Sequence, residues 1–207
     1  MTIATIDIGG TGIKFASLTP DGKILNKTSI PTPESLEDLL AWLDQRLSEQ
    51  DYIGIAMSVP GAVNQDTGVI DGFSAVPYIH GFSWYEALSS YQIPVHLEND
   101  ANCVGLSELL AHPELENAAC VVIGTGIGGA MIINGRLHRG RHGLGGEFGY
   151  MTTLAPAEKL NNWSQLASTG NMVRYVIEKS GQTDWDGRKI YQEAEAGNAL
   201  CQEAIER

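Results

Sequence analysis

The sequence is poor in cysteine, in positive charge and in long apolar runs. Its three cysteines, Cys103, Cys120 and Cys201, are few, odd in number and far apart. That excludes a disulfide framework and fits a reducing compartment. Lys and Arg number 13 against 25 Asp and Glu, a formal net charge of −12. An acidic chain is not drawn to phosphate-rich surfaces, so neither nucleic acid nor a membrane is an expected partner. No apolar run reaches the roughly 20 residues a bilayer demands, and there is no low-complexity segment. A β-rich run begins directly after Met1, so no secretory leader is read there, and a cytoplasmic location is expected. What remains is an ordinary hydrophobic fraction, 43% of 207 residues. That is enough for one or two domains with a real core.

The richest stretch is Ile3 to Leu18, Ile-Ala-Thr-Ile-Asp-Ile-Gly-Gly-Thr-Gly-Ile-Lys-Phe-Ala-Ser-Leu. Ile3 to Ile8 is β-branched and reads as a buried strand. Ile13 to Leu18 reads as a second strand, with Ile13, Phe15 and Ser17 on one face. Gly9, Gly10 and Gly12 allow a tight turn that a ligand can approach closely. Amide groups in such a turn form an anion-binding nest, with Thr11 adding a hydroxyl and Lys14 a cation. Asp7 faces the same turn, and a carboxylate beside a phosphate nest calls for a cation between them, most often Mg²⁺. The alternative is an ordinary glycine-rich hairpin. Cys120 to Leu137 repeats the device: strand, Gly124-Thr125-Gly126, strand. Two such hairpins suit the two sides of a triphosphate.

Between them, Lys23 to Ile30 reads as a third strand after an Asp21-Gly22 turn. Thr32-Pro33 reads as a helix start, with Thr32 as N-cap. Leu36, Leu39, Leu40, Leu43 and Leu47 share one helical face. Tyr52 to Val59 returns as a buried strand, so the order strand–helix–strand predicts a parallel pairing. The irregular stretch Phe73 to Trp84 either stacks aromatics on a sugar ring or is a surface loop anchored by Trp84. Pro94 to Leu97 reads as a strand and Ala101 to Ala111 as a helix with Val104, Leu106, Leu109 and Leu110 as apolar positions. Asn99 and Asp100 then stand at a strand's carboxyl end, where open α/β sheets place ligands. Asp100 could equally be the helix N-cap. His112 to Asn117 is the candidate hinge, giving domains 1–112 and 113–207. Glu147, among Gly145, Gly146 and Gly149, is either reachable by a ligand or simply a loop charge. Helices are expected over Gln165 to Ile177, broken near Ser168-Thr169-Gly170, and over Trp185 to Ala196, with another from Asn198.

Four blocks in order carry a resemblance: Asp7-x-Gly-Gly-Thr11, Leu97-Glu-Asn-Asp-Ala-Asn102, Gly124-Thr-Gly-x-Gly-Gly129 and Gly145-Gly-Glu-Phe-Gly149. Together they resemble the ROK sugar kinases, of the wider actin, Hsp70 and hexokinase superfamily. The glucokinase and β-glucoside kinase branches fit equally well. The resemblance implies an α/β, two-lobed, ribonuclease H-like ATPase fold whose lobes, joined near residue 112, close on substrate. It implies ATP and Mg²⁺ as cofactors, a small sugar as substrate, and admits a homodimer. By the same resemblance Asp100 is the general base. Gly61, Asn99, Asp100 and Glu147 touch the sugar. Gly9, Gly10, Thr11, Lys14, Gly124, Thr125 and Gly126 hold phosphates, and Asp7 sits on the Mg²⁺ water shell.

The chain also departs from that pattern. Asn64 replaces the Asp of the family's Pro-Gly-x-Val-Asp loop. Tyr150 stands where many members carry a zinc-binding His, and Thr153 to Gln165 contains no cysteine, so no structural zinc is expected. Ser164 takes the place of a second sugar-binding Glu, which leaves the preferred sugar open. The family runs on by roughly another third of its length, so the second lobe is expected to be incomplete. The alternatives are therefore a non-catalytic truncated kinase fragment or a sugar-binding regulator of the same family.

Overall fold

The computed structural model describes residues 1–153 and 161–207. The chain forms two compact units: Met1–Cys103 with Gly140–Leu144, and Val104–Arg139 with Gly145–Arg207.

The first unit is built on a five-stranded mixed sheet. In chain order its main elements are β1 (Ile3–Ile8), β2 (Gly12–Leu18), β3 (Ile24–Pro31), α1 (Leu36–Leu47) and β4 (Ile55–Val59). Two short paired strands, β5 (Ala62–Val63) and β6 (Ile70–Asp71), are followed by α2 (Trp84–Ala87), β7 (Val95–Asn99) and α3 (Asp100–Ala111). The strand order is β3-β2-β1-β4-β7. β1, β2 and β3 form an antiparallel meander, and β4 and β7 add in parallel on the other side of β1. This is the mixed α/β arrangement of the actin/hexokinase-like fold.

Period-two alternation decides which side chains enter the core. Ala4, Ile6 and Ile8 of β1, Ile13, Phe15 and Ser17 of β2, and Ile55, Met57 and Val59 of β4 are all buried. Leu39, Leu43 and Leu47 of α1 join the same cluster at helical spacing. Ser35, not Thr32, caps α1: its hydroxyl accepts the Asp38 N–H at 3.1 Å. Thr32 continues the β3 end instead, and its hydroxyl donates to the Gly9 carbonyl at 2.5 Å. Trp84 is fully buried and donates its ring N–H to the Ile79 carbonyl at 3.0 Å, so it anchors its loop. Tyr78 is tied to the Pro33 carbonyl, while Phe73 is 93% exposed.

The second unit carries an antiparallel three-stranded sheet, β8 (Ala118–Ile123), β9 (Ile127–Ile133) and β10 (Arg136–Leu137), in the order β10-β9-β8. A two-stranded ribbon, β11 (Thr152–Thr153) and β12 (Asn161–Asn162), precedes α4 (Trp163–Ala167), α5 (Thr169–Ser180), α6 (Gly187–Glu195) and α7 (Ala199–Glu206). Met172, Val176, Ile190, Ala194, Cys201 and Ala204 form a helical core. The expected break falls at Ser168, which leaves the helical region and caps α5 by accepting the Asn171 N–H. In α3 the expected apolar face is wrong in part: Leu110 is 84% exposed. The helix packs through Gly105, whose absent Cβ would lie 2.6 Å from the Ala130 Cβ of β9. Close approach through a small residue replaces a leucine stripe there.

Candidate active site

In the first unit the residues singled out from the sequence gather at the carboxyl ends of β1, β4 and β7. Parallel register sets Asp7 beside Ser58 and Val59 beside Asn99. Across the hairpin Asp7 lies opposite Lys14. The Lys14 ammonium is 2.8 Å from Asp7 Oδ2, and the Ser58 hydroxyl donates to Asp7 Oδ1 at 2.9 Å. The Gly9 N–H donates to the Gly12 carbonyl at 3.1 Å, closing the turn. It is therefore not one of the bare amides expected of a nest. Gly10 sits so close to Ala75 that a Cβ there would come within 2.6 Å of the Ala75 Cβ.

Asn99 is 9% exposed and is the hub of the next shell of contacts. Its Nδ2 donates to the Gly61 carbonyl at 3.1 Å and to Asp100 Oδ1 at 3.0 Å. Its Oδ1 accepts the Asn102 N–H at 3.1 Å, three residues on. That is the N-cap bond of α3. The capping duty thus falls to Asn99 and leaves Asp100 in the first helical position. Asp100 Oδ1 also accepts the Ala101 N–H at 2.8 Å. Asp100 stays accessible, yet burial by the surrounding strand ends pushes its carboxyl pKa up, with the Asp7 carboxylate adding to the rise. The two bonds to Oδ1 work in the opposite direction.

Gly61 can be nothing but glycine. Its φ is +107°, and a Cβ would meet Ile70 Cγ2 at 2.8 Å and the Asp71 carbonyl at 2.9 Å. Asn64 is absorbed by its own turn, its Oδ1 accepting the Asp66 and Thr67 N–H groups. Ser58, Gln65 and Glu98 were not anticipated. Ser58 orients Asp7, and Gln65 Nε2 holds the Leu97 carbonyl at 2.9 Å. The hydroxyl's parallel register with Asp7 is the signal that would have found Ser58.

In the second unit the Gly124-Thr125-Gly126 turn is closed by the Gly124 N–H donating to the Gly126 carbonyl at 2.8 Å. The first turn of α5 lies against it: the Gly170 N–H donates to the Gly124 carbonyl at 3.3 Å. Ser164, expected at a sugar-binding position, instead clamps the hairpin. Its Oγ accepts the Ile127 N–H at 2.8 Å and donates to the Ile127 carbonyl at 3.2 Å. Glu147 is half-buried just before a 3₁₀ turn, Phe148–Tyr150. The glycines around it serve backbone packing: a Cβ on Gly146 would strike the Gly129 carbonyl, and one on Gly149 the Ile127 carbonyl. Among the described residues, no three His, Cys, Asp or Glu side chains gather as metal ligands. The cysteine-free stretch Thr153 to Gln165, from which no zinc is expected, lies partly outside the described residues.

Comparison with known proteins agrees with this geometry. The pattern of the ROK family matches residues 3–207. A crystal structure of a ROK family protein from Streptococcus pneumoniae TIGR4, in complex with sucrose, is 96% identical with a TM-score of 0.86, covering 100% of this chain and 71% of that one. The β-glucoside kinase of Listeria monocytogenes serovar 1/2a is 36% identical over 99% of this chain and 73% of its own length. The β-glucoside kinase of Klebsiella pneumoniae is 33% identical over 99% of this chain and 72% of its own. With the family pattern spanning nearly every residue and the sheet order of the actin/hexokinase-like fold, the chain belongs to the ROK family.

Proposed function

We propose that this chain carries the machinery of a sugar kinase, transferring the γ-phosphoryl group of ATP to a hydroxyl of glucose or a β-glucoside. One observation supports this above the others: Asp100 stands at the carboxyl end of β7, excused from helix capping by Asn99, with both of its hydrogen bonds on Oδ1. In this reading Asp100 Oδ2 takes the proton of the attacking hydroxyl. The sugar oxygen then forms its bond to the γ-phosphorus, the bond to the β-phosphate oxygen breaks, and ADP leaves. Such a reaction asks the protein mainly for positioning and charge neutralisation. Asn99 and the Gly61 loop orient the sugar, and Glu147 is assigned a sugar contact on the family pattern alone. Phosphates are assigned to Gly10, Thr11 and Lys14, and to Thr125 and Gly126, while Gly124, its N–H spent on the Gly126 carbonyl, shapes its turn. Gly9 shapes its turn, its N–H spent on the Gly12 carbonyl and its carbonyl on the Thr32 hydroxyl. The Gly-Thr-Gly turn has the positive end of α5 against it, which favours an anion.

Asp7 suits a Mg²⁺ that arrives with the nucleotide, held by one carboxylate through water and by substrate phosphates. The ion would neutralise charge on the transferring group. The relatives named β-glucoside kinase make a β-glucoside the first sugar to try.

The test is ADP release over glucose, methyl β-D-glucopyranoside, N-acetylmannosamine and sucrose, with Asp100→Asn alongside. We expect Asp100→Asn to lower kcat by about 10² or more while sugar affinity stays within a few-fold. Because the Asp100 pKa is raised, protonation disables the base at a higher pH than an ordinary carboxylate would, so kcat should fall on an acidic limb above that range. Asp100→Asn should lose the limb. Normal turnover in the mutant would reduce Asp100 to a structural residue. Sugar binding without any ADP release would favour the regulatory reading.

A further inference from the structure

The hydrogen bonds around Asn99 continue one residue back and three residues forward. Glu98 Oε1 accepts the Asn99 backbone N–H at 3.0 Å and Asn102 Nδ2 at 3.0 Å. Asn102 is 2% exposed, and among the described residues its Oδ1 has no hydrogen-bond partner. Turning the amide over would set that oxygen against the Glu98 carboxylate, so the carboxylate fixes the amide's orientation. An unpartnered acceptor buried beside a carboxylate is a poor way to stabilise a helix; a leucine would fill the volume without it. The arrangement makes sense through what it holds. Glu98 grips the Asn99 backbone N–H, and the Asn102 side chain holds the Glu98 carboxylate in place; the backbone N–H of residue 102 separately meets Asn99 Oδ1. With Oδ1 so fixed, the Asn99 amide group points Nδ2 at both the Gly61 carbonyl and Asp100 Oδ1.

We propose that Glu98 and Asn102 are positioning residues for phosphoryl transfer: the Asn102 amide holds the Glu98 carboxylate, the carboxylate fixes the Asn99 backbone where β7 meets α3, and Asn99 in turn fixes the Asp100 carboxylate with Oδ2 presented to the sugar hydroxyl. The inference rests on the reading of Asp100 as the base. Neither Glu98 nor Asn102 touches the reacting atoms. Their effect is on the geometry of the residue that does, where errors near 1 Å cost large factors in rate.

The experiment is a double-mutant cycle in the full-length protein, assayed with methyl β-D-glucopyranoside, with glucose, and with ATP and Mg²⁺. Sugar Kd is measured separately by titration calorimetry without nucleotide. Asn102→Leu should unfold within a few degrees of the parent, keep sugar Kd and KM within about three-fold, and lose kcat by about ten-fold or more. Glu98→Gln keeps an acceptor oxygen and should retain kcat within about three-fold, whereas Glu98→Ala should behave as Asn102→Leu does. On the Asp100→Asn background, Asn102→Leu should remove less than about two-fold more, since there is no base left to aim. Equal losses on both backgrounds, or an unchanged kcat in Asn102→Leu, would overturn the proposal. If Asn102→Leu does not fold, Asn102→Ala is judged by the same criteria. The kinase reading fails differently: no ADP from the unmodified protein with either sugar, or full turnover in Asp100→Asn.

Discussion

In the β1–β2 hairpin the glycine turn ends a strand with neighbours on both sides, β2 and β4, and three side chains of that strand are buried. In the β8–β9 hairpin, among the described residues, β8 pairs with β9 alone, and Val121 and Ile123 stand 48% and 57% exposed. The fastenings differ as well. The first turn is held by the Asp7–Lys14 ion pair and by the Thr32 hydroxyl on the Gly9 carbonyl. The second is held at its backbone: the Ser164 hydroxyl clamps both polar groups of Ile127, the Gly170 N–H bonds the Gly124 carbonyl, and Gly149 packs flush on the Ile127 carbonyl. The first glycine turn thus closes a hairpin with buried side chains on both strands, whereas in the second the buried side chains, Ile127, Ala130 and Ile132, all come from β9. A glycine motif names a turn; what holds the turn in place lies elsewhere in the chain.

Five substitutions would sharpen or break that contrast, read as local opening free energies by native-state hydrogen exchange. Ile6→Ala in β1 should cost about 2–5 kcal/mol, as buried large-to-small changes do. Ile123→Ala should stay near 0.5 kcal/mol, the scale of surface changes. Similar costs at the two sites would mean that β8 is as deeply packed as β1. Gly149→Ala comes next, at about 1–3 kcal/mol in the second unit, because the new methyl must displace backbone. Amides of β9 should show the loss. Ser164→Ala removes one partner from two backbone groups and should cost about 1–2 kcal/mol, again confined to β9 and α4. Protection of β1 and β2 should not change, and a loss there would break the contrast. Lys14→Met should also be small, below about 0.5 kcal/mol and weaker still in high salt, since the pair is exposed.

Much of this was legible in the residues themselves. β-branched alternation located β1 and β2, and the leucine spacing located α1, because both report burial directly. Both glycine turns and the strand-end placement of Asn99 and Asp100 were visible for the same reason. The helix start at Ser35 was missed because Thr32-Pro33 is a good cap pattern on its own. Only the tertiary bond to Gly9 shows why Thr32 is used otherwise. Leu110 was misassigned because a small-residue contact, Gly105 on Ala130, leaves no apolar periodicity to read. Ser58 and Ser164 were opaque because their partners are 51 and 37 residues away. The division of labour between Asn99 and Asp100 was invisible too, since either residue makes a good N-cap.

That division has a consequence for folding order. Starting a helix is the slow, unfavourable step, because several dihedral angles are fixed for a single hydrogen bond. Here the side chain that offsets that step for α3 is the one that aims the Asp100 carboxylate. The first turn of α3 and the Asp100 carboxylate therefore become ordered in one event. A chain in which α3 began one residue later would lose its cap and the bond that orients Asp100 together. The Asn102 amide proton, sequestered by Asn99, should accordingly serve as a direct reporter of whether the Asn99–Asp100 arrangement has formed, even in a protein that has met neither sugar nor nucleotide.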